Sequence, residues 1–266
     1  MSAESSFFQT IIIALVVGAA SGGIGAFILL RRMALVGDAL SHVALPGIAL
    51  ALTLSLDPLW GVIVFLLGAA IIIWLLQEKT SLPADAIVGL LFTSSLAIGV
   101  ITIPDHELIE SLFGEFPALA PSIFVLITSA GVALLIFTFI LAPKFIFSII
   151  STDLARVHGV GKKYNLALLV IFVLVVALGI KLVGTLLMGA LTIIPAAIAR
   201  NATRSMRAYI SFSAAIGSFT AAGGVLAAQQ FALLPGPTII LFGAALFIIS
   251  LFLKQRRANN GYRRVA

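Results

Sequence analysis

Asp38 and His42 stand four residues apart in an apolar stretch, residues 34–54, that opens directly behind the pair Arg31-Arg32. Four residues make about one helical turn, so both side chains share one face of a helix. A carboxylate oxygen and an imidazole nitrogen form a donor set suited to a borderline divalent ion such as zinc or manganese. Two other readings use the same atoms: a structural Asp–His hydrogen bond tying two helices, and a proton relay. From Arg32 to His42 the chain climbs ~15 Å as helix, about half of a ~30 Å hydrocarbon core. An ionisable pair at that depth is costly and by default marks a pathway or a ligand site. Pro46-Gly47 just beyond predicts a helix break that frees backbone carbonyls. Two ligands do not complete a metal site, but a twofold-symmetric dimer brings four to one axis.

The elements that must position this pair follow from composition. Of 266 residues, 61% are hydrophobic and 10% charged, and the mean hydropathy is +1.22. Soluble domains are nearer half apolar and a quarter charged, so the fold class is an all-α, multi-pass membrane protein. Apolar runs predict spans near residues 10–30, 34–54, 58–76, 84–103, 118–141, 164–180, 182–199, 208–230 and 234–253. The sixth and seventh are short and parted only by Lys181, so eight full spans plus a half-helix is the alternative to nine. The first apolar run has no basic residue before it and no small-residue cleavage site after it, and reads as a retained span.

With nine spans, every one of the 16 Lys and Arg residues except Lys181 falls on one side. The opposite side carries Glu4, Asp57, Asp105, Glu107, Glu110 and Glu115. This asymmetry places the N-terminus outside and the basic tail, residues 254–266, in the cytoplasm. The net charge of +6 is thereby a positive-inside signature rather than a nucleic-acid surface. The chain has no cysteine, hence no disulfide or thiolate metal site. No glycine-rich loop ending in Lys-Ser/Thr is present, so ATP binding is not expected here, and no nucleophile–base set suggests an enzyme. The chain reads as one membrane domain, residues 1–266.

Three further segments qualify. Residues 150–163 predict a short interfacial helix between the fifth and sixth spans, a docking element for a partner or a plain connector. Pro195, late in residues 183–200, kinks or ends its helix, as packing or as a moving gate element. Leu234-Pro235-Gly236-Pro237 predicts a turn before the last span. Asp85 suits the first turn of the fourth span, Lys181 snorkels to an interface, and His106 and His158 read as solvent-facing loop residues.

On these residues the chain resembles the permease family of ABC importers for zinc, manganese and iron. Residues 31–51 resemble the family's Arg-Arg…Gly-Asp-x-x-x-His…Pro-Gly signature, and residues 183–200 its Pro-Ala-x-x-Ala-Arg stretch. Asp85-Ala86-Ile87-Val88-Gly89, Leu112-Phe113-Gly114-Glu115, Asp153–Gly159 and Pro235-Gly236-Pro237 resemble weaker family segments. The likeness runs from about Gly18 to Leu253.

The resemblance implies a homodimer in a prokaryotic cell membrane, paired with cytoplasmic ABC ATPase subunits and an extracytoplasmic metal-binding protein. Asp38 and His42 would then bind metal in the path. Thr152, Asp153, Leu154, Ala155, Arg156, Val157 and Gly159 would lie in the helix that docks on the ATPase. Pro46, Gly47 and Pro195 would break helices or gate. No permanent cofactor is implied; the metal is cargo, zinc first, then manganese or iron. The alternatives are a proton- or cation-coupled transporter acting without an ATPase, and a purely structural membrane anchor.

Overall fold

Inside a bilayer the backbone has no water to bond, and a helix satisfies each N–H and C=O within its own segment. The computed structural model describes residues 3–80, 82–102, 112–113, 120–150, 161–185 and 188–262. Among the described residues it is built of helices, with no strand. In chain order they are α1 (Ala3–Leu30), α2 (Ala34–Thr53), α3 (Pro58–Lys79), α4 (Ala84–Thr102) and α5 (Pro121–Ile150), then α6 (Gly161–Val183), α7 (Met188–Ala202), α8 (Met206–Gln230) and α9 (Pro235–Tyr262).

Seven of these are long and apolar enough to cross a membrane, and α4 contributes a shorter apolar helix, Ala86–Thr102. α7 has 15 residues, ~22 Å of rise, too little for a ~30 Å core. It is the half-helix allowed for among the short segments. The turn before it is made inside the protein: Gly184 takes φ 86, and Gly184 and Thr185 are both buried. Irregular backbone at membrane depth is tolerated where protein encloses it.

Local chemistry sets the other helix ends. α1, α2 and α8 close with one hydrogen-bond pattern. After α1, the Met33 N–H donates to the Ile28 carbonyl and the Arg32 N–H to that of Leu29. Leu56 and Ser55 repeat this behind α2, and Leu233 and Ala232 behind α8. This is the Schellman arrangement, whose left-handed residue is usually glycine. Here that residue is Arg32 (φ 59), Ser55 (φ 55) or Ala232 (φ 50). α3 starts on Asp57, whose carboxylate accepts from the Leu59 N–H at 2.8 Å, with Pro58 at the first helical position.

Lipid tails are as apolar as leucine, so helices associate through close packing, and glycines let backbones approach. A Cβ added at Gly18 of α1 would lie 2.4 Å from the carbonyl oxygen of Gly217 on α8. Four residues on, the Ser213 hydroxyl donates to the Gly22 carbonyl at 2.5 Å. The same closeness joins α1 to α7 at Gly25 and Thr192, α7 to α2 at Gly189 and Asp38, and α2 to α3 at Gly47 and Gly61. α4 meets α2 at these points through side chains instead, with Leu45 lying against Gly99. Phe27, Phe145 and Phe172 are fully buried among these helices.

Four expectations need correction. α2 runs through Pro46 and Gly47 without interruption. Gly47 is pressed on the Gly61 carbonyl, so packing on α3 holds the helix where the local sequence favours a break. Of the two outcomes expected at Pro195, an end is excluded: Pro195 lies inside α7, which continues to Ala202. α5 extends nine residues past the expected end at 141, carrying Pro143 inside it, because the apolar run resumes at Phe145. Pro235-Gly236-Pro237 is the first turn of α9 rather than a separate turn, a position where proline's missing N–H removes no helical bond.

Candidate metal site

The site is built on α2. His42 is 3% exposed, and its ring stands edge-on to Phe92 of α4 with centroids 5.0 Å apart. Its Nδ1 has no hydrogen-bond partner. A buried polar atom left unsatisfied costs ~1–3 kcal/mol, and such an exception in a native fold calls for an explanation. Pro46 bears on the same residue. It sits four positions beyond His42 within the helix, and proline has no N–H to give the His42 carbonyl. A continuous α2 thus still denies the His42 carbonyl its usual helical partner.

Asp38 lies one turn nearer the arginines and is only half-buried. Its surroundings are set by α7, because a Cβ at Gly189 would fall 2.6 Å from the Asp38 backbone nitrogen. Gly37 sits on the same contact and also touches the Phe172 ring of α6. The Ser41 hydroxyl donates to the Asp38 carbonyl at 2.7 Å, so this serine is occupied within its own helix.

The pair is thus an accessible carboxylate one turn from an enclosed imidazole with a free nitrogen. Among the described residues no group of three or more His, Cys, Asp or Glu comes together. One copy of the chain supplies two side-chain donors.

Among the described residues, Arg31, Arg200 and Arg204 lie at one end. The ends of α1 and α7 and the start of α8 surround a hollow of about 170 Å³ lined by Leu30, Arg200, Arg204 and Tyr209. At the same end Arg31 donates to the Ser148 hydroxyl on α5 at 3.4 Å and to the Asn165 side-chain oxygen on α6. Burial pulls the Arg31 guanidinium down to about 10 from its ordinary value. Arg32 beside it is exposed.

Phe92, Gly37, Gly189, Ser148 and Asn165 were missed in reading the sequence. Only Gly37 and Gly189 gave a signal, as glycines within the two most distinctive stretches. The expected docking residues Thr152, Asp153, Leu154, Ala155, Arg156, Val157 and Gly159, like His106 and His158, lie outside the described residues. So do the side chains of Asp85 and Lys181.

Apolar helices, one of them carrying a half-buried carboxylate and a buried imidazole, with arginines collected at one end, are the make-up of a multi-pass membrane transport protein. Residues 4–254 match the ABC 3 transport family, and the chain belongs to that family. It is 32% identical over 255 residues to the manganese import system permease protein ScaB of Streptococcus gordonii, covering 93% of this chain and 92% of that one. It is 30% identical to the high-affinity zinc uptake system membrane protein ZnuB of Haemophilus influenzae, covering 94% and 98%. Among solved structures, PsaBC from Streptococcus pneumoniae in complex with Fab superposes with a TM-score of 0.83 at 35% identity, over 94% of this chain and 93% of that one. The protein is a multi-pass component of a bacterial cell membrane.

Proposed function

We propose that this chain is the permease subunit of an ATP-driven importer that carries a divalent transition-metal ion across the cell membrane. One observation carries the reading: His42, nine-tenths buried and with a free ring nitrogen, shares a helix face with Asp38. Two copies about a twofold axis would offer two carboxylates and two imidazoles. The His42 carbonyl freed by Pro46 adds an oxygen donor. Such a set replaces part of the ion's hydration shell and has to hold it modestly, since a transported ion must also leave.

Family membership supports an ATPase partner and an extracytoplasmic binding protein, and in this reading the ATPase carries the hydrolytic chemistry. The positive-inside pattern supports an outer N-terminus and a cytoplasmic tail. Relatives named for manganese and for zinc match at nearly equal identity, 32% and 30%, which supports the class of metal rather than one metal. Among them we favour zinc, because intrinsic affinity in oxygen–nitrogen sites is greater for zinc than for manganese or iron(II).

The test is metal uptake by the assembled transporter in vesicles, with radioactive zinc and manganese offered separately. Asp38→Ala and His42→Ala should each abolish uptake while membrane insertion and dimer formation persist. Full uptake by the double variant removes these residues from the mechanism. Uptake by the purified chain without an ATPase overturns the ATP-driven reading, and preferential uptake of manganese overturns the choice of zinc.

A further inference from the structure

We propose that Arg31 is a positioning residue that couples the α5–α6 end of the bundle to the helix bearing Asp38 and His42. The inference rests on the importer reading above and goes beyond it, to the route by which force reaches the site.

Arg31 is placed for this by backbone geometry. It is the last residue before the left-handed Arg32, in the tight turn that joins α1 to α2. α2 begins three residues later, at Ala34. The two arginines of this turn behave differently. Arg32 stays exposed, as a snorkelling cation does. Arg31 turns inward, and burial lowers its affinity for its proton.

Removing a guanidinium from water is costly unless hydrogen bonds replace the water. Here the replacements are two neutral acceptors, and both lie on the same connection. Ser148 is in the last turn of α5 and Asn165 in the second turn of α6. Residues 151–160, which the importer reading assigns to ATPase docking, join those two helix ends. One side chain thus ties both sides of the docking segment to the turn that leads into the metal-bearing helix.

The other close approaches between α5 or α6 and the α1 region are of a different kind. Gly131 of α5 faces the Val16 side chain, and Gly179 of α6 faces the Met188 sulfur of α7 and the Val17 side chain. Phe27 and Phe145 meet edge to face at 5.4 Å. Such apolar contacts can slide and repack. Hydrogen bonds from one guanidinium nitrogen, Nη2, to an oxygen on each of two helices are directional and resist both.

The experiment uses the complete transporter in lipid vesicles: permease, ATPase and metal-loaded binding protein. Wild type is compared with Arg31→Ala, Arg31→Lys, Asn165→Ala and the Arg31→Ala/Asn165→Ala double variant. Metal carried per ATP hydrolysed is the deciding readout. Stimulated ATP hydrolysis and metal binding by the solubilised permease are measured beside it.

Arg31→Ala and Asn165→Ala should each lower metal per ATP at least fivefold, with hydrolysis and metal binding within twofold of wild type. The double variant should be no worse than Arg31→Ala, because the two residues act through one contact. Arg31→Lys should recover part of the loss. Unchanged metal per ATP in Arg31→Ala overturns the proposal, as does a parallel loss of assembly, binding and hydrolysis in Asn165→Ala. Asn165→Ala decides the matter should Arg31→Ala fail to assemble. Failure of the importer reading shows separately, as a wild-type transporter whose uptake does not need ATP.

Discussion

Gly189→Ala is the sharpest perturbation of the site, because it changes one methyl group and touches neither donor. The new Cβ would lie 2.6 Å from the Asp38 nitrogen, 2.8 Å from its Cα and 3.0 Å from its Cβ. Two of those three atoms are main chain, so no rotamer change relieves the clash. Bringing 2.6 Å to the 3.4 Å of an ordinary contact parts α2 from α7 by about 0.8 Å. Overpacking of this kind costs ~1–3 kcal/mol. Metal–ligand distances are held to about 0.2 Å, so a shift of that size at Asp38 spoils coordination before it unfolds the bundle.

Uptake should fall at least tenfold while insertion and assembly persist. Two other glycines give the comparison. At Gly37 a Cβ would meet the Gly189 Cα at 3.2 Å and the Phe172 ring at 3.4 Å, so Gly37→Ala should lower uptake only a few-fold. At Gly68 nothing lies within 4 Å, so Gly68→Ala should leave uptake unchanged. Vesicle uptake normalised to inserted protein reads all three. Equal uptake by Gly189→Ala and Gly68→Ala would refute the argument that α7 sets the position of Asp38.

Three further outcomes follow from the same reasoning. Pro46→Ala returns an N–H to the His42 carbonyl, worth about 1 kcal/mol of stability; Tm in detergent should rise while uptake falls. Ser213→Ala removes the buried bond to the Gly22 carbonyl and should lower stability by about 1 kcal/mol, read from thermal unfolding, without altering metal selectivity. Gly217→Val places a Cβ 2.1 Å from the Gly18 carbonyl oxygen and should prevent accumulation of folded protein, measured as detergent-extractable monodisperse material.

How much could be read from the sequence depended on whether a feature was local. Apolar runs located most helices, since this signal sits within one segment. The pair on α2 was legible because an aspartate and a histidine at helical spacing are out of place among leucines. Pro46-Gly47 misled because a proline–glycine pair favours a break locally, while α3 packed on Gly47 holds the helix together. α5 was read short because Pro143 and Lys144 look like an ending, yet the Lys144 ammonium rests 4.9 Å from the centre of the Tyr164 ring on α6 and the helix continues. Phe92 beside His42 and Asn165 beside Arg31 were illegible, since nothing in either neighbourhood announces a partner 50 or 134 residues away.

The glycine contacts give the bundle a mechanical grain. Backbone rests on backbone in an unbroken series, from α8 to α1, α7, α2 and α3. Main chains in such contact have no rotamers to exchange, so these five helices are joined without intervening side chains, and Asp38 and His42 lie on one of them. α4 meets them through side chains instead, the Leu45 side chain against Gly99 and the Phe92 ring against His42. His42 therefore stands on a helix held from behind by main-chain packing, with the Phe92 ring of α4 in front of it.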